Sequence, residues 1–247
     1  MQGLITLDFG NSHPHAGLFQ KVQGKWDLIK VVPWSELQIY TNQLGMSAHN
    51  TSVVLCEVKA REEELAPLAE QGFLITRVKE YWRGGRFAGM PVNYAKTLGE
   101  DRLIEAYYCY KKEKIPTLVI DAGTFVTMDV VTENGFMGGY IIPGTEAYFS
   151  TYGKGEQLKD VPLTLNFKHQ LPQETADAIT ESYSAFAALA KNLISEHKIQ
   201  KIVLTGGLTT LWEGFFTTEK TGLVVEGHPH LVHWALQYWM TTQIEPQ

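Results

Sequence analysis

The sequence predicts an α/β protein made of two similar domains, each with a mixed sheet flanked by helices. The first observation is residues 120–129, IDAGTFVTMD, in which a buried strand, a glycine turn and a second strand follow one another. The second is residues 4–12, LITLDFGNS, which repeat that layout near the N-terminus. The third is that two more extended segments, with a polar turn between them, follow each copy. A unit that occurs twice in this way indicates a duplicated domain.

Both copies carry an Asp-x-Gly turn at the end of the first strand. In the second copy Asp121 ends the apolar run, Gly123 lets a ligand approach the backbone, and Thr124 adds a hydroxyl. Backbone N–H groups around such a turn can bind an anion, and a nearby carboxylate can hold the cation that accompanies a phosphate. A single turn of this kind is more typical of a plain hairpin. Its repetition at Asp8 and Gly10 favours two turns that hold one polyphosphate from both sides.

The first half of the chain continues with elements that fit a mixed sheet with helices on its faces. Residues 60–71 are rich in Glu, Leu and Ala and predict a helix, with Gly72 as its C-cap residue. The other predicted elements are strands at 16–22, 26–32, 51–58 and 73–78 and a short helix at 34–44.

Residues 80–97 differ in composition from the segments around them. Their glycines, aromatic residues and arginines predict no regular structure. Irregular surface segments often carry binding groups. A plain connection between domains is an equally good interpretation.

A helix is predicted over residues 98–112, beginning at Gly99-Glu100-Asp101-Arg102. Taken alone, this group is an ordinary helix start, with Asp101 near the N-cap and Arg102 in solvent. Because the helix leads directly into Pro116, the domain boundary is placed near Glu113. The predicted domains are therefore 1–113 and 114–247.

The second half repeats the order of the first. Residues 174–197 show the pattern of one long amphipathic helix. Thr205-Gly206-Gly207 follows a predicted strand, where it fits either a nucleotide contact or an ordinary tight turn. The other predicted elements are strands at 116–120, 125–131, 136–142, 201–204 and 222–225 and helices at 145–152 and 229–242.

Composition limits the class of protein. A chain of 247 residues with 44% hydrophobic residues can bury a core as one large domain or two small ones. No apolar run approaches the roughly 20 residues that cross a bilayer, and the N-terminal residues lack the features of a signal peptide. We therefore expect a cytoplasmic protein without membrane association. The net charge of −6 argues against general nucleic-acid binding, although it allows a local site for an anionic small molecule.

Metal and nucleophile motifs do not stand out in the sequence. His13-Pro14-His15 has the wrong geometry for one helical face, and no cluster of Cys or His accompanies it. The two cysteines, Cys56 and Cys109, show no metal-ligand spacing. No Ser-His-Asp or Cys-His arrangement is evident.

Five motifs, in this order, resemble those of the type III pantothenate kinases, members of the superfamily of acetate and sugar kinases, heat-shock 70 proteins and actin. They are Asp8-Phe9-Gly10-Asn11-Ser12, Gly99-Glu100-Asp101-Arg102, and the segments 121–129, 138–144 and 205–207. The Gly-x-Asp-Arg motif is the most diagnostic of the five. The similarity extends over nearly the whole chain and implies two ribonuclease-H-like domains with the active site in a cleft between them.

The resemblance also implies an activity. The family phosphorylates the hydroxyl of pantothenate with ATP, the first step toward coenzyme A, and commonly works as a homodimer. It requires Mg²⁺ and a monovalent cation such as K⁺ or NH₄⁺. This chemistry depends mostly on positioning and charge neutralisation, together with a carboxylate that accepts the proton of the alcohol. A carboxylate at a helix N-terminus is expected to stay ionised, as a base must.

By resemblance, Asp101 is the general base. The residues that would bind pantothenate are Tyr94, Gly99, Glu100, Asp101, Arg102 and Thr175. The residues that would contact ATP are Asp8, Phe9, Gly10, Asn11, Ser12, His13, Pro14, His15, Gly123 and Thr124. Asp121 would bind the monovalent cation, and Asp8 would hold Mg²⁺ through the phosphates.

Three features depart from the family pattern. His13-Pro14-His15 occupies positions where aliphatic or basic residues are usual, and Phe125 stands in place of an alanine. The spacing from Tyr94 to Gly99 is short, and the usual proline between them is absent. Two alternatives therefore stay open. One is a non-catalytic regulator on the same fold, since some members of the broader family are described as transcriptional accessory factors. The other is a superfamily kinase or phosphatase with another small substrate.

Overall fold

The computed structural model describes residues 2–10, 13–58, 61–162, 164–168, 170–216 and 223–244. The chain divides into two compact units. The first comprises residues 1–112, 134–136 and 230–247, and the second comprises residues 113–133 and 137–229. The predicted domain ranges, 1–113 and 114–247, place residues 134–136 and 230–247 in the second domain, whereas here they pack with the first unit.

The elements follow one another in the order strand, strand, strand, helix in both halves of the chain. The strands are β1 (Gly3–Phe9), β2 (His15–Val22), β3 (Lys25–Pro33), β4 (Thr51–Glu57), β5 (Ile75–Arg77), β6 (Trp82–Arg83), β7 (Arg86–Phe87), β8 (Met90–Pro91), β9 (Thr117–Ala122), β10 (Phe125–Thr132), β11 (Gly135–Pro143), β12 (Lys201–Thr205) and β13 (Val224–Gly227). The helices are α1 (Leu37–Gln43), α2 (Glu62–Glu70), α3 (Glu100–Lys112), α4 (Thr145–Ser150), α5 (Thr175–Ser182), α6 (Ala185–Glu196), α7 (Thr209–Phe216) and α8 (Leu231–Ile244).

The two main sheets have the same topology. One has the strand order β3-β2-β1-β4-β5, and the other has the order β11-β10-β9-β12-β13. In each sheet the central strand pairs antiparallel with the strand that follows it and parallel with the fourth strand of its unit. This repetition, with helices between the parallel strands, confirms the predicted duplicated α/β fold with mixed sheets.

The repetition also puts a carboxylate at the same place in each sheet. Asp8 is the penultimate residue of β1, and Asp121 is the penultimate residue of β9. Asp8 lies opposite His15 on one side and Cys56 on the other. Because the side chains of a strand alternate between its two faces, this register decides what each carboxylate can contact.

Each sheet has an apolar core on one face. In the first unit Ile5, Leu7 and Phe9 alternate along β1 and pack with apolar residues of α1 and α2. In the second unit the core joins β9, β10 and β12 to α6 and α7. The period of two along β1 leaves Thr6 and Asp8 for its other face.

Helix α8 covers that other face of the first sheet. It contacts β1, β4 and α3. Trp239 is almost fully buried, with its ring 5.6 Å from that of Phe87 and 5.0 Å from that of Tyr81. Trp234 packs edge-on against Phe19 at 5.2 Å. This burial of large aromatic side chains explains why the C-terminal helix belongs to the first unit, against the predicted boundary.

Two predictions about regular structure were wrong. Residues 80–97 are not wholly irregular, because β6, β7 and β8 form a small antiparallel sheet whose turns use Gly84, Gly85 and Gly89 at positive φ. The predicted helix at 174–197 is two helices, α5 and α6. The hydroxyls of Ser182 and Ser184 bond to carbonyls three residues earlier, which competes with regular helical bonding at the break.

Helix α7 was missed by the sequence analysis. It is only eight residues long and follows a glycine pair, so its apolar residues give a short periodic signal. Trp212, Phe215 and Phe216 of this helix are buried in the core of the second unit. Within the described residues, no helix has both the length and the apolar character needed to span a membrane.

The packing of Trp239 predicts how the molecule responds to truncation of this side chain. Trp239→Ala should lower the free energy of unfolding by about 3 to 5 kcal/mol, the usual cost of removing a large buried aromatic. Hydrogen exchange should then accelerate more in the first unit than in the second. Tyr140→Ala is the control, because Tyr140 is 49% exposed. Faster exchange confined to residues 113–133 and 137–229 would contradict the assignment of α8.

Candidate active site

The end of β1 carries the first predicted site residues. Asp8 faces His15 across the sheet, and its Oδ2 lies 3.5 Å from Nε2 of His15. The Asp8 side chain is 14% exposed, so the carboxylate can be reached from solvent on one side. Asn11 and Ser12, also predicted to contact ATP, lie outside the described residues.

The turn after β1 is held by a few contacts on its flanks. Phe9 is buried and packs edge-on against Trp34, with ring centroids 5.0 Å apart. The Gly10 carbonyl accepts a hydrogen bond of 3.4 Å from Nη2 of Arg61. The Pro14 carbonyl accepts one of 2.9 Å from the Trp34 amide. These contacts fix the backbone on both sides of the Asp-x-Gly turn.

A pocket of about 610 Å³ lies beside this turn. Its size is that of a small-molecule site. Its wall has apolar and charged parts, with Arg61 paired to Glu64 at 3.2 Å at one end. The lining residues are His13, Pro14, His15, Val31, Val32, Pro33, Trp34, Ser35, Arg61 and Glu64.

The N-terminus of α3 carries the second group. Asp101 lies in the first turn of the helix, and its Oδ1 accepts a 2.8 Å hydrogen bond from the Arg102 amide. Gly99 contacts the Asp101 carboxylate so closely that a Cβ at this position would overlap with Oδ1. Burial raises the pKa of Asp101, while the amide and the charge of Arg102 lower it. The effect of burial opposes that of the helix N-terminus, which favours the ionised form.

Arg102 is buried among aromatic rings. Its guanidinium lies 5.3 Å from the ring centre of Tyr94 and 5.8 Å from that of Phe136. The Tyr94 and Phe136 rings are 5.7 Å apart. The sequence interpretation of Arg102 as a solvated helix residue is therefore wrong, because only 5% of its surface is exposed. The short spacing between Tyr94 and Gly99 still allows Tyr94 to reach the Gly-x-Asp-Arg motif.

Glu57 anchors a charged cluster next to this helix that the sequence did not reveal. Its Oε1 lies 2.6 Å from Nη1 of Arg77 and 2.6 Å from Nζ of Lys79. The Glu57 amide donates a 3.2 Å hydrogen bond to Oε2 of Glu100. These groups come from β4, β5, the 3-10 turn after β5 and α3, and the pairing of β4 with β5 and the packing of α3 bring them together.

Glu100 is a second acid of this region whose pKa is raised. Burial raises the pKa of Glu100 to about 7; the Glu57 amide and Lys79 lower it, while the carboxylates of Glu57 and Asp101 raise it further. A carboxyl that titrates near neutral pH is therefore next in sequence to Asp101. Such perturbed groups are typical of functional sites, although structural clusters also produce them.

The second unit carries the other Asp-x-Gly turn between β9 and β10. The amide of Gly123 donates a 3.0 Å hydrogen bond to the carbonyl of Phe125 and is therefore engaged within the turn. The Gly144 amide bonds to the Thr124 carbonyl at 3.0 Å. The turn is thus a tight hairpin held from the side by Gly144, and the Phe125 ring is 46% exposed beside it.

Asp121 lies in this turn's first strand, next to Gly206. Gly206 has φ of 84°, and a Cβ there would lie 2.5 Å from Oδ1 of Asp121 and 2.6 Å from the Ala122 carbonyl oxygen. The space beside these two oxygens therefore depends on glycine. Thr175, predicted to bind pantothenate, is exposed at the start of α5 in the same unit.

The sequence profile that describes type III pantothenate kinases matches residues 4–196. The match covers most of the chain, including the first unit's two motifs and the turn at Asp121. The chain belongs to the type III pantothenate kinase family.

Curated relatives from several bacteria carry the same family name. The type III pantothenate kinase of Campylobacter hominis is 36% identical over 125 residues, which covers 50% of this chain and 57% of that protein. The Syntrophus aciditrophicus protein of the same name is 27% identical over 229 residues, covering 83% of this chain and 87% of that protein. The similarity to the second relative therefore extends over both units.

Solved structures agree on the fold. A Campylobacter jejuni protein, a candidate transcriptional activator of the Baf family, superimposes with a TM-score of 0.61 at 20% identity, covering 97% of this chain and 98% of that chain. A candidate 2-dehydro-3-deoxygalactonokinase from Sinorhizobium meliloti gives 0.59 at 12% identity, covering 100% of both chains. At these identities the likeness concerns the fold alone.

The two Asp-x-Gly turns offer oxygen atoms that hard cations could use as ligands. Among the described residues, no group of three or more His, Cys, Asp or Glu side chains could hold a metal ion by itself. Asp8 supplies one carboxylate, which fits Mg²⁺ because that ion keeps several waters and binds substrate phosphates. Oδ1 of Asp121 and the Ala122 carbonyl oxygen both lie beside Gly206, and oxygen ligands of this kind are those that hard cations prefer.

The raised pKa of Glu100 predicts a pH dependence of stability. Between the ordinary pKa of a glutamate and about 7, the folded state retains a proton that the unfolded state has lost, so stability should fall as pH rises through this window. Glu100→Gln keeps an acceptor for the Glu57 amide and cannot ionise. It should therefore gain stability relative to the native protein at pH 8 but not at pH 4, by on the order of 3 kcal/mol. Urea unfolding at both values measures this, with exposed Glu63→Gln as control; an equal difference at both pH values would contradict it.

Proposed function

We propose that this protein transfers the γ-phosphate of ATP to the hydroxyl of pantothenate, giving 4′-phosphopantothenate and ADP in the first step of coenzyme A synthesis. Family membership is the observation that carries the proposal, because the profile match includes the Gly99–Arg102 motif of the substrate site. The named relatives, type III pantothenate kinases, support the same substrate. The buried carboxylate of Asp101 and the neighbouring guanidinium of Arg102 are consistent with this reaction.

Asp101 is the general base in the proposed reaction. As the hydroxyl oxygen of pantothenate forms a bond to the γ-phosphorus, its proton passes to the Asp101 carboxylate and ADP leaves. A base works best when its pKa is near the working pH. Burial raises the pKa of Asp101 above that of an ordinary aspartate, which supports this role.

The other residues of the motif would hold pantothenate. Arg102 offers a cation for the substrate carboxylate, and its contacts with Tyr94 and Phe136 limit its movement. The proposed set comprises Tyr94, Gly99, Glu100, Asp101, Arg102 and Thr175. Of these, residues 94 and 99–102 belong to the first unit, and Thr175 belongs to the second.

The two Asp-x-Gly turns would bind ATP. Residues 8–15 supply the contacts of the first turn, with Asp8 holding Mg²⁺ through the phosphates. Gly123 and Thr124 supply those of the second turn, in which the Phe125 carbonyl engages the Gly123 amide. When bound, Mg²⁺ neutralises phosphate charge, which is the main requirement of phosphoryl transfer.

Asp121 would bind K⁺ or NH₄⁺ beside the second turn. When bound, this cation offsets the repulsion between a carboxylate and the phosphates of ATP. The assembly and location implied by the resemblance complete the proposal: a homodimer in the cytoplasm, acting on small molecules without nucleic-acid or membrane partners.

Replacement of Asp101 should remove the base without removing the nucleotide site. Asp101→Asn should lower kcat by roughly 10² to 10⁴, the usual share of a general base. The Kd for Mg·ATP should stay within about twofold of that of the native protein, because Asp and Asn have nearly the same size and shape. Steady-state kinetics and calorimetry measure the two quantities. Normal turnover in the variant would place the base elsewhere.

Replacement of Asp121 should remove the response to monovalent cations. The native enzyme should be faster in K⁺ or NH₄⁺ than in Na⁺ at equal ionic strength. Asp121→Ala should give one low rate in all three salts, because the carboxylate that binds the cation is gone. Glu133→Ala is the control, because Glu133 lies in the β10–β11 turn of the same unit and its replacement also removes one negative charge. Equal native rates in all salts would refute the cation site.

Detection of the product decides between enzyme and regulator. The native protein is incubated at millimolar ATP with Mg²⁺ and K⁺, with and without pantothenate, and phosphopantothenate is identified by mass. Pantothenate-dependent formation of ADP together with this product supports the kinase. Nucleotide binding by folded protein without the product would favour a non-catalytic regulator, and phosphorylation of another small alcohol would favour a different superfamily kinase.

A further inference from the structure

A line of four hydrogen-bonding side chains runs from Asp8 into the interior of the first unit. Nε2 of His15 lies 3.5 Å from Oδ2 of Asp8. Nδ1 of His15 lies 3.0 Å from Nε2 of His233, and Nδ1 of His233 lies 2.8 Å from Oγ1 of Thr6. We call these four residues, Asp8, His15, His233 and Thr6, the histidine line. It joins the carboxylate on β1 to a histidine of α8, 218 positions further along the chain than His15.

The strand next to β1 makes room for the buried ring of His233. His233 has no exposed surface, and Gly17 of β2 faces it. A Cβ at Gly17 would lie 2.8 Å from Cγ and 2.9 Å from Nδ1 of His233, and 2.5 Å from Oγ1 of Thr6. Any larger residue at position 17 would displace the ring or the hydroxyl. The backbone is therefore built around this histidine, and both of its nitrogens have hydrogen-bond partners.

Charge and burial determine which atoms carry the protons. Burial and the neighbouring His15 and His230 hold the pKa of His233 well below its ordinary value, so the ring is neutral with one N–H. If Nδ1 carried the proton, His233 Nε2 would accept from Nδ1–H of His15. A neutral His15 would then direct an unprotonated Nε2 at the Asp8 carboxylate. The opposite tautomer avoids this repulsion.

In that tautomer every link has one donor and one acceptor. Thr6 donates its hydroxyl proton to Nδ1 of His233. His233 donates Nε2–H to Nδ1 of His15. The Nε2–H of His15 then faces Oδ2 of Asp8 at 3.5 Å, an electrostatic contact longer than an ordinary hydrogen bond. The Gly17 carbonyl, 3.2 Å from the Thr6 hydroxyl, competes as an acceptor for the single proton of that hydroxyl, and the 2.8 Å contact with His233 is the shorter of the two.

We propose that His233 is a positioning residue for the phosphate-binding carboxylate: it fixes the tautomer and ring orientation of His15, so that the Nε2 edge of His15 faces Asp8 and holds its carboxylate in place for Mg·ATP. Partners of this outer kind orient the groups that bind a metal or its phosphates. The inference rests on the proposed role of Asp8 in binding Mg·ATP. The assignment of protons along the histidine line is independent of any activity.

The first experiment measures that assignment in the native protein. Nitrogen-15 chemical shifts of the histidine rings, recorded on the full chain at pH 7.5, distinguish N–H from unprotonated nitrogen at each ring position. We expect Nε2–H on both His15 and His233, with Nδ1 unprotonated. A proton on Nδ1 of His233 would overturn the proposal. This measurement needs no variant to fold.

The second experiment compares two variants of His233 whose side-chain amides extend to different distances from the backbone. The amide nitrogen of Gln at position 233 can take the place of Nε2 and donate to His15, whereas Asn is too short to do so. We expect His233→Asn to weaken binding of Mg·AMPPNP, a non-hydrolysable ATP analogue, and to raise KM for Mg·ATP, both about tenfold, the size expected when His15 loses its alignment with the charged Asp8 carboxylate. KM for pantothenate should change less than twofold. His233→Gln should restore most of the lost nucleotide affinity.

The controls separate this proposal from general damage and from the proposed function. The midpoints of urea unfolding of the two variants are compared with that of the native protein, and nucleotide affinity is measured only on variants that are folded. Equal nucleotide affinity in the Asn, Gln and native proteins would overturn the positioning role, as would an equal rise of KM for both substrates. The native protein could form no phosphopantothenate while His233→Asn still loses affinity for Mg·AMPPNP. In that case the proposed kinase activity is refuted and the positioning role of His233 is retained.

Discussion

The cost of burying carboxylates governs the first unit of this protein. A carboxylate removed from water is destabilised unless hydrogen bonds or cations compensate. Glu57 receives two cations, Arg77 and Lys79, and is 4% exposed overall. Glu100 receives one backbone amide, and burial raises its pKa to about 7. The two neighbouring acids are thus stabilised to different extents. Glu57 is held by two cations, whereas Glu100 has a pKa near neutral pH, where a carboxyl can exchange a proton.

Duplication of one sheet topology produced two different surroundings for the same carboxylate. Asp8 and Asp121 both occupy the penultimate position of a central strand. The residues opposite Asp8 are His15 and Cys56, whereas the residues opposite Asp121 are Thr127 and Thr205. An imidazole donor orients a carboxylate, and hydroxyls with nearby carbonyls favour a cation beside it. The difference supports separate roles for the two turns, one toward Mg·ATP and one toward a monovalent cation.

Much of the fold could be predicted because its signals are local. The strands around both Asp-x-Gly turns follow apolar periodicity and polar turns, which the sequence displays directly. The missed or wrong elements depend on less local causes. The break between α5 and α6 arises from serine side chains that bond to the backbone, and the membership of α8 in the first unit arises from burial of Trp239. Periodicity indicates that a helix has an apolar face but not which sheet it covers.

The parts of the candidate site that are adjacent in the sequence could be predicted from it, and the parts that tertiary packing brings together could not. Residues 99–102 are adjacent in sequence, so their family pattern could be read without a structure. Glu57, Arg77 and Lys79 could not be associated with Glu100, because only strand pairing and the packing of α3 bring them together. The burial of Arg102 among aromatic rings has the same origin. A cluster assembled by tertiary packing leaves no spacing rule in the chain.

The interpretation of the His13-Pro14-His15 segment depends on His233, a residue that contacts it only in the folded chain. In sequence it suggests divergence from the family, because the residues that usually follow the first motif are missing. In the fold His15 meets Asp8 on one side and His233 on the other, and Gly17, two residues later, provides the space that the His233 ring requires. The departure is therefore part of the packing of the first unit, in which β1, β2 and α8 each contribute a residue to the same group of contacts.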